Sequence, residues 1–122
     1  RSETLLEKPL FGKGFVQNRC VIPVTGFCEW DGDGTGWDFL PQEEEMLYLA
    51  GVCRKKAEGW EATVVTEHAS GCVGEIHHRT PLILSGENLR QWLYDEAQAR
   101  QFLEEAKERV LLKRKKMEGE TL

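Results

Sequence analysis

Met46-Leu47-Tyr48-Leu49-Ala50-Gly51-Val52-Cys53 is an apolar run, and its pairing with the next segment decides the fold. Residues 56–59 turn the chain. Trp60-Glu61-Ala62-Thr63-Val64-Val65-Thr66 then returns, with Trp60, Ala62, Val64 and Thr66 alternating onto one face. An apolar run, a glycine-containing turn and an alternating run together predict an antiparallel hairpin, with residues 46–53 as its buried, central strand.

Upstream of the hairpin, Arg19–Val24 reads as a short strand and Phe27–Trp30 as a second extended piece. Alternation puts Phe27 and Glu29 on one face of that piece, and Cys28 and Trp30 on the other. Phe11-Gly12-Lys13-Gly14 reads as a turn, and residues 31–36 as a turn-rich loop. That loop has neither the acidic spacing nor the closing Glu of a calcium site.

Downstream, residues 69–76 have room for one or two helical turns, and 81–84 form a last small strand. Ser85 is placed to cap a helix containing Leu89, Trp92 and Leu93. From Glu96 onward, Ala99, Phe102, Leu103, Ala106 and Val110 recur at helical spacing, with Glu105 and Arg109 placed as an i,i+4 pair. Lys113, Arg114, Lys115 and Lys116 then fall at a helix C-terminus, where the dipole favours cations. A solvated helix end is the plain reading of that basic run, and a DNA-binding patch the alternative. The class is α+β, strands first and helices last.

A chain of 122 residues is one domain or a piece of one, and 40% hydrophobic with 30% charged residues is a globular composition. No run is apolar and long enough to cross a membrane, so no membrane partner is expected. The opening Arg1-Ser2-Glu3-Thr4 has no apolar stretch behind it and is not a signal peptide. It also lacks an initiator Met, which suggests a start further upstream. The net charge of −5, from 21 acids against 16 bases, argues against a broadly basic nucleic-acid surface. The charge is nevertheless uneven, with Glu43, Glu44 and Glu45 in one knot and the four cations at 113–116 in another. Cys20, Cys28, Cys53 and Cys72 have no zinc-site spacing. Three of them lie in apolar runs and read as reduced core cysteines, which points to a reducing compartment, cytoplasmic in a bacterium or nuclear in a eukaryote.

Two patches carry the candidate chemistry: Gly26-Phe27-Cys28-Glu29-Trp30 and Ile76-His77-His78-Arg79-Thr80-Pro81. Each sets one acid–base residue among apolar neighbours, and in one cleft they would form a proton-transfer pair. Taken singly, Glu29 could be a solvated carboxylate and His77 a surface or packed histidine. Strand-like alternation would turn His78 away from His77 and make it a spectator. Arg79 could balance acidic neighbours, or its fork of donors could hold phosphate. Trp30 could be core, or a plate for base stacking. A metal-dependent hydrolase would need His68, His77 and His78, and the His-Glu-x-x-His spacing is missing.

Read in order, Arg1-Ser2-Glu3-Thr4, Glu7-Lys8-Pro9-Leu10-Phe11, Arg19-Cys20-Val21-Ile22-Pro23, the Glu29 patch, Val65-Thr66-Glu67-His68-Ala69, the His77 patch through Leu84, and Trp92-Leu93 resemble the SOS response-associated peptidase (SRAP) family. The resemblance covers roughly residues 1–93. It implies recognition of abasic sites in single-stranded DNA and covalent capture of them, without cofactor or metal, by a protein acting as a monomer. It implies a nucleophilic cysteine at position two whose amine and thiol condense with the sugar aldehyde to a thiazolidine. It also implies removal of the protein's own leader residues where one exists.

The implied fold is α+β around a strongly bent, mainly antiparallel sheet or partial barrel with C-terminal helices. Residues 1–122 would be one such domain incomplete at its N-terminus, with 95–122 a divergent helical tail. By resemblance, Glu29 and His77 are catalytic, and Arg1, Trp30, Thr66 and Arg79 contact DNA. The chain departs from the family in lacking the N-terminal cysteine and an asparagine before Arg1, and in having Cys28 in place of Tyr or Phe and Thr80 in place of a longer residue. A non-catalytic remnant that keeps the shell as a binding or structural module is therefore the rival reading.

Overall fold

The computed structural model describes residues 1–105 and 110–117. Its centre is strand β4 (Leu47–Lys56), which carries partners on both sides. Strand β1 (Arg19–Val24) runs antiparallel to it with Ile22 opposite Leu49. Strand β5 (Gly59–Val64) returns along the second half of β4, with Cys53 opposite Ala62. Strand β8 (Ile83–Leu84) occupies the same side beside the first half, with Leu49 opposite Ile83. The hairpin read from the sequence is thus present, and its apolar strand is central.

Period-two alternation along β4 feeds two cores. Ala50 and Val52 face a larger one with Leu5, Phe15, Trp92, Phe102 and Leu103. Leu47 and Leu49 face a smaller one with Ile83, packed by Ile22, Val24, Phe27 and Leu111. The larger core is closed by helices α1 (Pro9–Gln17), α3 (Leu89–Tyr94) and α4 (Glu96–Glu104). Trp92 is fully buried, donates its indole N–H to Cys20 O at 2.9 Å, and meets Phe15 edge to face at 5.8 Å.

Strands β2 (Phe27–Trp30) and β3 (Gly36–Leu40) form a separate sheet with β9 (Leu112–Lys115), in the order β2-β3-β9. Strands β6 (Thr66–His68) and β7 (Arg79–Pro81) make a third, two-stranded sheet, and the short helix α2 (Gly71–Gly74) lies between them in sequence.

Three expectations are corrected. The antiparallel sheets and C-terminal helices are present, but among the described residues there is no strongly bent sheet or partial barrel. The described strands divide into three separate sheets, none closed on itself. The division reflects the short strands: Thr25-Gly26 turns the chain out of the first sheet, and β5 stops pairing with β4 at Val64. Second, Phe11-Gly12-Lys13-Gly14 is not a turn but the middle of α1, which Pro9 opens at a first-turn position where proline is favoured. Glycine serves close packing there: a Cβ on Gly14 would sit 3.1 Å from Cys53 O, and one on Gly12 2.9 Å from Leu6 O. Third, the last helix ends at Glu104, and the basic run is strand β9 rather than a helix end. Ala106 and the Glu105–Arg109 pair expected on that helix involve positions outside the described residues.

Replacing Trp92 by Ala removes the largest side chain of the main core and one end of a buried hydrogen bond. Urea unfolding should show a loss of about 3–5 kcal/mol, the usual cost of truncating a core aromatic. Tyr94→Ala, two residues on at a position 75% exposed, should stay within about 0.5 kcal/mol.

Candidate functional site

Glu29 lies in β2, opposite Trp37 of β3. His77 lies just before β7, on a turn whose backbone is set by the His77 N–H donating to Val73 O at 2.9 Å. The two elements bring Glu29 Oε2 and His77 Nδ1 to 3.8 Å, with 26% and 31% of the side chains exposed. The pair is therefore reachable from solvent without being immersed in it. His77 Nδ1 is also 3.1 Å from both the Arg79 N–H and the Arg79 carbonyl. An unprotonated Nδ1 accepts from the first, and a protonated one donates to the second, so the ring is held in place in either state. His78 is not turned away, because residues 77 and 78 precede the strand; its ring lies 4.5 Å from that of His77.

Arg79 faces a second cluster. Its side chain is 9% exposed. Nη1 donates to Glu3 Oε1 and Oε2 at 3.1 and 3.0 Å, and Nη2 to Thr66 O and Oγ1 at 2.9 and 3.1 Å. Nε is buried without a partner. The Ser2 N–H donates to the same Thr66 carbonyl at 2.7 Å, so the Arg1-Ser2-Glu3 segment is laid along β6. Burial pushes the Glu3 carboxyl up, but the hydrogen bonds from Arg79 and Ser2 and the Arg79 charge outweigh it, and the net shift is downward. The main chain of Arg79 touches His77 while its side chain fixes Glu3 and Thr66. One residue therefore ties Glu3, Thr66 and His77 together, and Arg1 stands exposed two positions from Glu3.

The opposite face of β2 is built differently. The Cys28 thiol donates to Asp38 Oδ1 at 2.8 Å, and Arg114 Nη2 to Asp38 Oδ2 at 3.2 Å, with Asp38 1% exposed. Lys116 donates to Cys28 Sγ at 3.4 Å and stands 5.8 Å from the Trp30 ring centre. Trp30 is half exposed, on the face away from Glu29, as the alternation Phe27/Glu29 against Cys28/Trp30 requires. Burial pushes the Cys28 thiol up, its bond to Asp38 adds to that, and Lys116 opposes without reversing it. Cys28 is thus kept as a thiol, the unreactive form. Cys20 is pushed up to about 12 by burial, with the neighbouring Cys53 contributing.

The three histidines of the metal-hydrolase alternative do not gather. His68 Nε2 is 3.8 Å from Glu3 Oε1, while His77 pairs with Glu29. Among the described residues no group of three or more His, Cys, Asp or Glu is arranged to hold a metal. A cavity of about 510 Å³ adjoins Glu3, walled by Glu3, Glu7, Glu67 and Glu104 with Arg100 and His68. Its acidic lining makes it a poor seat for a phosphodiester. The sequence reading missed Glu3, which it had only as part of a motif, and Asp38. A carboxylate two residues from Arg1 offered no spacing signal toward an arginine 76 positions away.

With this geometry in place, the class of protein can be stated. Residues 1–118 match the family described as SOS response associated peptidase (SRAP), and the chain belongs to that family. It is 33% identical to the abasic site processing protein YoqW of Bacillus subtilis, over 76% of this chain and 46% of the relative. It is 34% identical to the abasic site processing protein HMCES of Gallus gallus, over 76% of this chain and 36% of the relative. The chain thus spans less than half the length of these curated relatives. Among solved structures, a Bacteroides thetaiotaomicron protein superposes with a TM-score of 0.74 at 25% identity, covering 84% of this chain and 51% of that one. A Bordetella bronchiseptica protein reaches 0.81 at 23% identity, covering 96% and 64%.

Asp38 generates a pH prediction. The Cys28 hydrogen bond lowers its carboxyl most, burial opposes, and Arg114 adds to the lowering. A carboxyl lowered in the folded state stabilises fully above its unfolded pKa of about 3.9, and that contribution fades as pH falls through the folded value. Asp38→Asn should cost about 1–3 kcal/mol near neutral pH. The gap between parent and variant should shrink below about pH 4, as read by urea midpoints at each pH.

Proposed function

We propose that this chain carries the DNA-gripping and proton-transfer part of an abasic-site processing protein, which captures abasic sites in single-stranded DNA as a covalent cross-link. The observation that carries this is the meeting of Glu29 and His77 at 3.8 Å, from two segments far apart in sequence. The names of the relatives and the family resemblance supply the substrate class.

The chemistry asks for such a pair. An abasic sugar rests as a cyclic hemiacetal. Opening it transfers a proton from the C1 hydroxyl and delivers one to the ring oxygen, leaving an aldehyde. An amine adds to the aldehyde carbon, and the resulting carbinolamine loses water once its hydroxyl is protonated. Attack by a thiol on the same carbon closes a thiazolidine, so aldehyde, amine and thiol give ring and water. Ring opening and water loss both need a positioned acid and base, the roles proposed for Glu29 and His77. The amine and thiol must share one residue, a cysteine with a free α-amine. Cys20, Cys28, Cys53 and Cys72 are internal and have none, so cross-linking belongs to a parent protein that provides such a cysteine. Leader removal at that same cysteine, the activity behind the family name, would belong to the parent in the same way.

Arg1, Trp30 and Thr66 are the proposed DNA contacts. Arg79 joins them by exchanging Glu3 for a phosphate, because in the free protein both its Nη groups are engaged. The rival reading is a shell that keeps the binding surface without the chemistry. The two readings diverge in the parent protein with a Met-Cys start. There, Glu29→Gln should slow single-turnover adduct formation by about 10²–10⁴-fold while DNA affinity stays near parental, since the amide keeps the shape but cannot deliver a proton. Adduct formation at the parental rate would make Glu29 structural and overturn the mechanism. Residues 1–122 alone should give no heat-stable adduct with abasic single-stranded DNA on a denaturing gel.

A further inference from the structure

We infer that the basic strand β9 is a lane for the phosphodiester backbone of single-stranded DNA flanking the abasic nucleotide, with Lys115 its direct phosphate contact. This rests on the reading above and extends its site. The strand register carries the argument. Glu29 is opposite Trp37, and Trp37 is opposite Lys115. Directly opposed residues in antiparallel strands project to the same face. Glu29, Trp37 and Lys115 therefore form one rung across the sheet, on the face that also meets His77. With strands about 4.8 Å apart, Lys115 starts about 10 Å from Glu29, a span of roughly two or three nucleotides where the flanking bases keep the stacked rise of about 3.4 Å.

The two lysines on this face have different work. Lys113 bonds Glu75 Oε2 at 2.9 Å and lies 5.2 Å from the Trp37 ring centre. It ties β9 to the segment that leads into His77 and holds the indole, while Trp37 Nε1 donates to Asp31 Oδ2 at 3.0 Å. The Lys115 side chain is exposed and has no hydrogen-bond or ion-pair partner among the described residues; the Asp31 charge is near it without a direct bond. Arg114 and Lys116 point to the other face, where Asp38 and Cys28 engage them. Strand β9 is also the edge of its sheet. An uncommitted ammonium beside an indole fixed by a hydrogen bond, on an open edge, suits a backbone phosphate with a base stacked next to it.

The test uses the intact parent protein and oligonucleotides carrying a tetrahydrofuran analogue, which has no aldehyde and gives reversible binding. Fluorescence anisotropy against salt is measured for the parent, Lys115→Gln and, as a charge-matched control on α3, Arg90→Gln. The expected result is a salt slope shallower by about 0.7 for Lys115→Gln, the single-strand value for one lost phosphate contact, with the control unchanged. The difference should vanish on an oligonucleotide trimmed to one nucleotide on both sides of the analogue. Lys115→Arg should restore the slope. Parental binding by Lys115→Gln on every oligonucleotide, in a parent that binds, overturns this inference and leaves the proposed function standing. A parent that fails to bind any of them overturns both.

Discussion

Three buried residues exchange backbone hydrogen bonds at the point where the main sheet divides, and the site depends on that exchange. The Val65 N–H donates to Ala50 O at 2.9 Å, the Ala50 N–H to Leu82 O at 2.9 Å, and the Leu82 N–H to Val65 O at 2.8 Å. All three residues are at most 4% exposed. A buried backbone group left unpaired would cost about 1–3 kcal/mol, so strands cannot simply diverge inside a core. Here each residue gives one bond and receives one, and β5 leaves β4 with those groups satisfied. Thr66, Glu67 and His68 then pair with β7, and β8 takes the vacated side of β4. That departure carries Thr66 to Arg79 and sets the turn bearing His77 where β2 can bring Glu29.

Strand β2 uses its two faces for opposite ends. One presents Glu29 toward His77, and the other locks Cys28 to a buried carboxylate. A buried Asp38 is sustainable only because Cys28 and Arg114 satisfy it, and Arg114 comes from β9. The last described strand is therefore part of what holds the strand of Glu29 in place. This also explains why a cysteine adjacent to Glu29 is not a stand-in nucleophile: it points the other way and is kept protonated by its surroundings.

The parts of the fold carried by period-two alternation were legible in the sequence. The returning strand of the β4–β5 hairpin and the facing of Glu29 against Trp30 come from side-chain alternation, and β4 itself from its apolar run; all are local signals. What failed were features set by distant partners. Gly12 and Gly14 looked like turn residues because their use in close packing against Leu6 and Cys53 leaves no local trace. The 112–115 segment looked like a helix end because its cations suit one, but its strand state comes from pairing with β3. The barrel came with the family resemblance, and sheet closure is a matter of global register that no single segment records. Glu29 and His77 stand out in the sequence as candidate chemistry-bearing residues in distinctive neighbourhoods, and the fold brings them to 3.8 Å. Glu3 and Asp38 were missed because ordinary carboxylates acquire meaning only from the arginines that reach them.

The proposed handling of DNA by an acidic chain is less paradoxical once charge is followed at the length scale of the interaction. At physiological ionic strength the Debye length is about 8 Å, so exposed charges farther away are largely screened. Glu43, Glu44 and Glu45 lie in the loop before β4, and the acidic cavity adjoins Glu3. The cation that would matter locally is Lys115 of β9, two strand spacings from Glu29. A net charge of −5 then reports mainly on solubility. On the proposed function, the short-range pattern is what bears on binding, because it would favour a backbone along one edge of the β2-β3-β9 sheet over the Glu-lined cavity. A few contacts around a single lesion need only such a local edge, whereas a protein coating long duplex DNA would need a basic face.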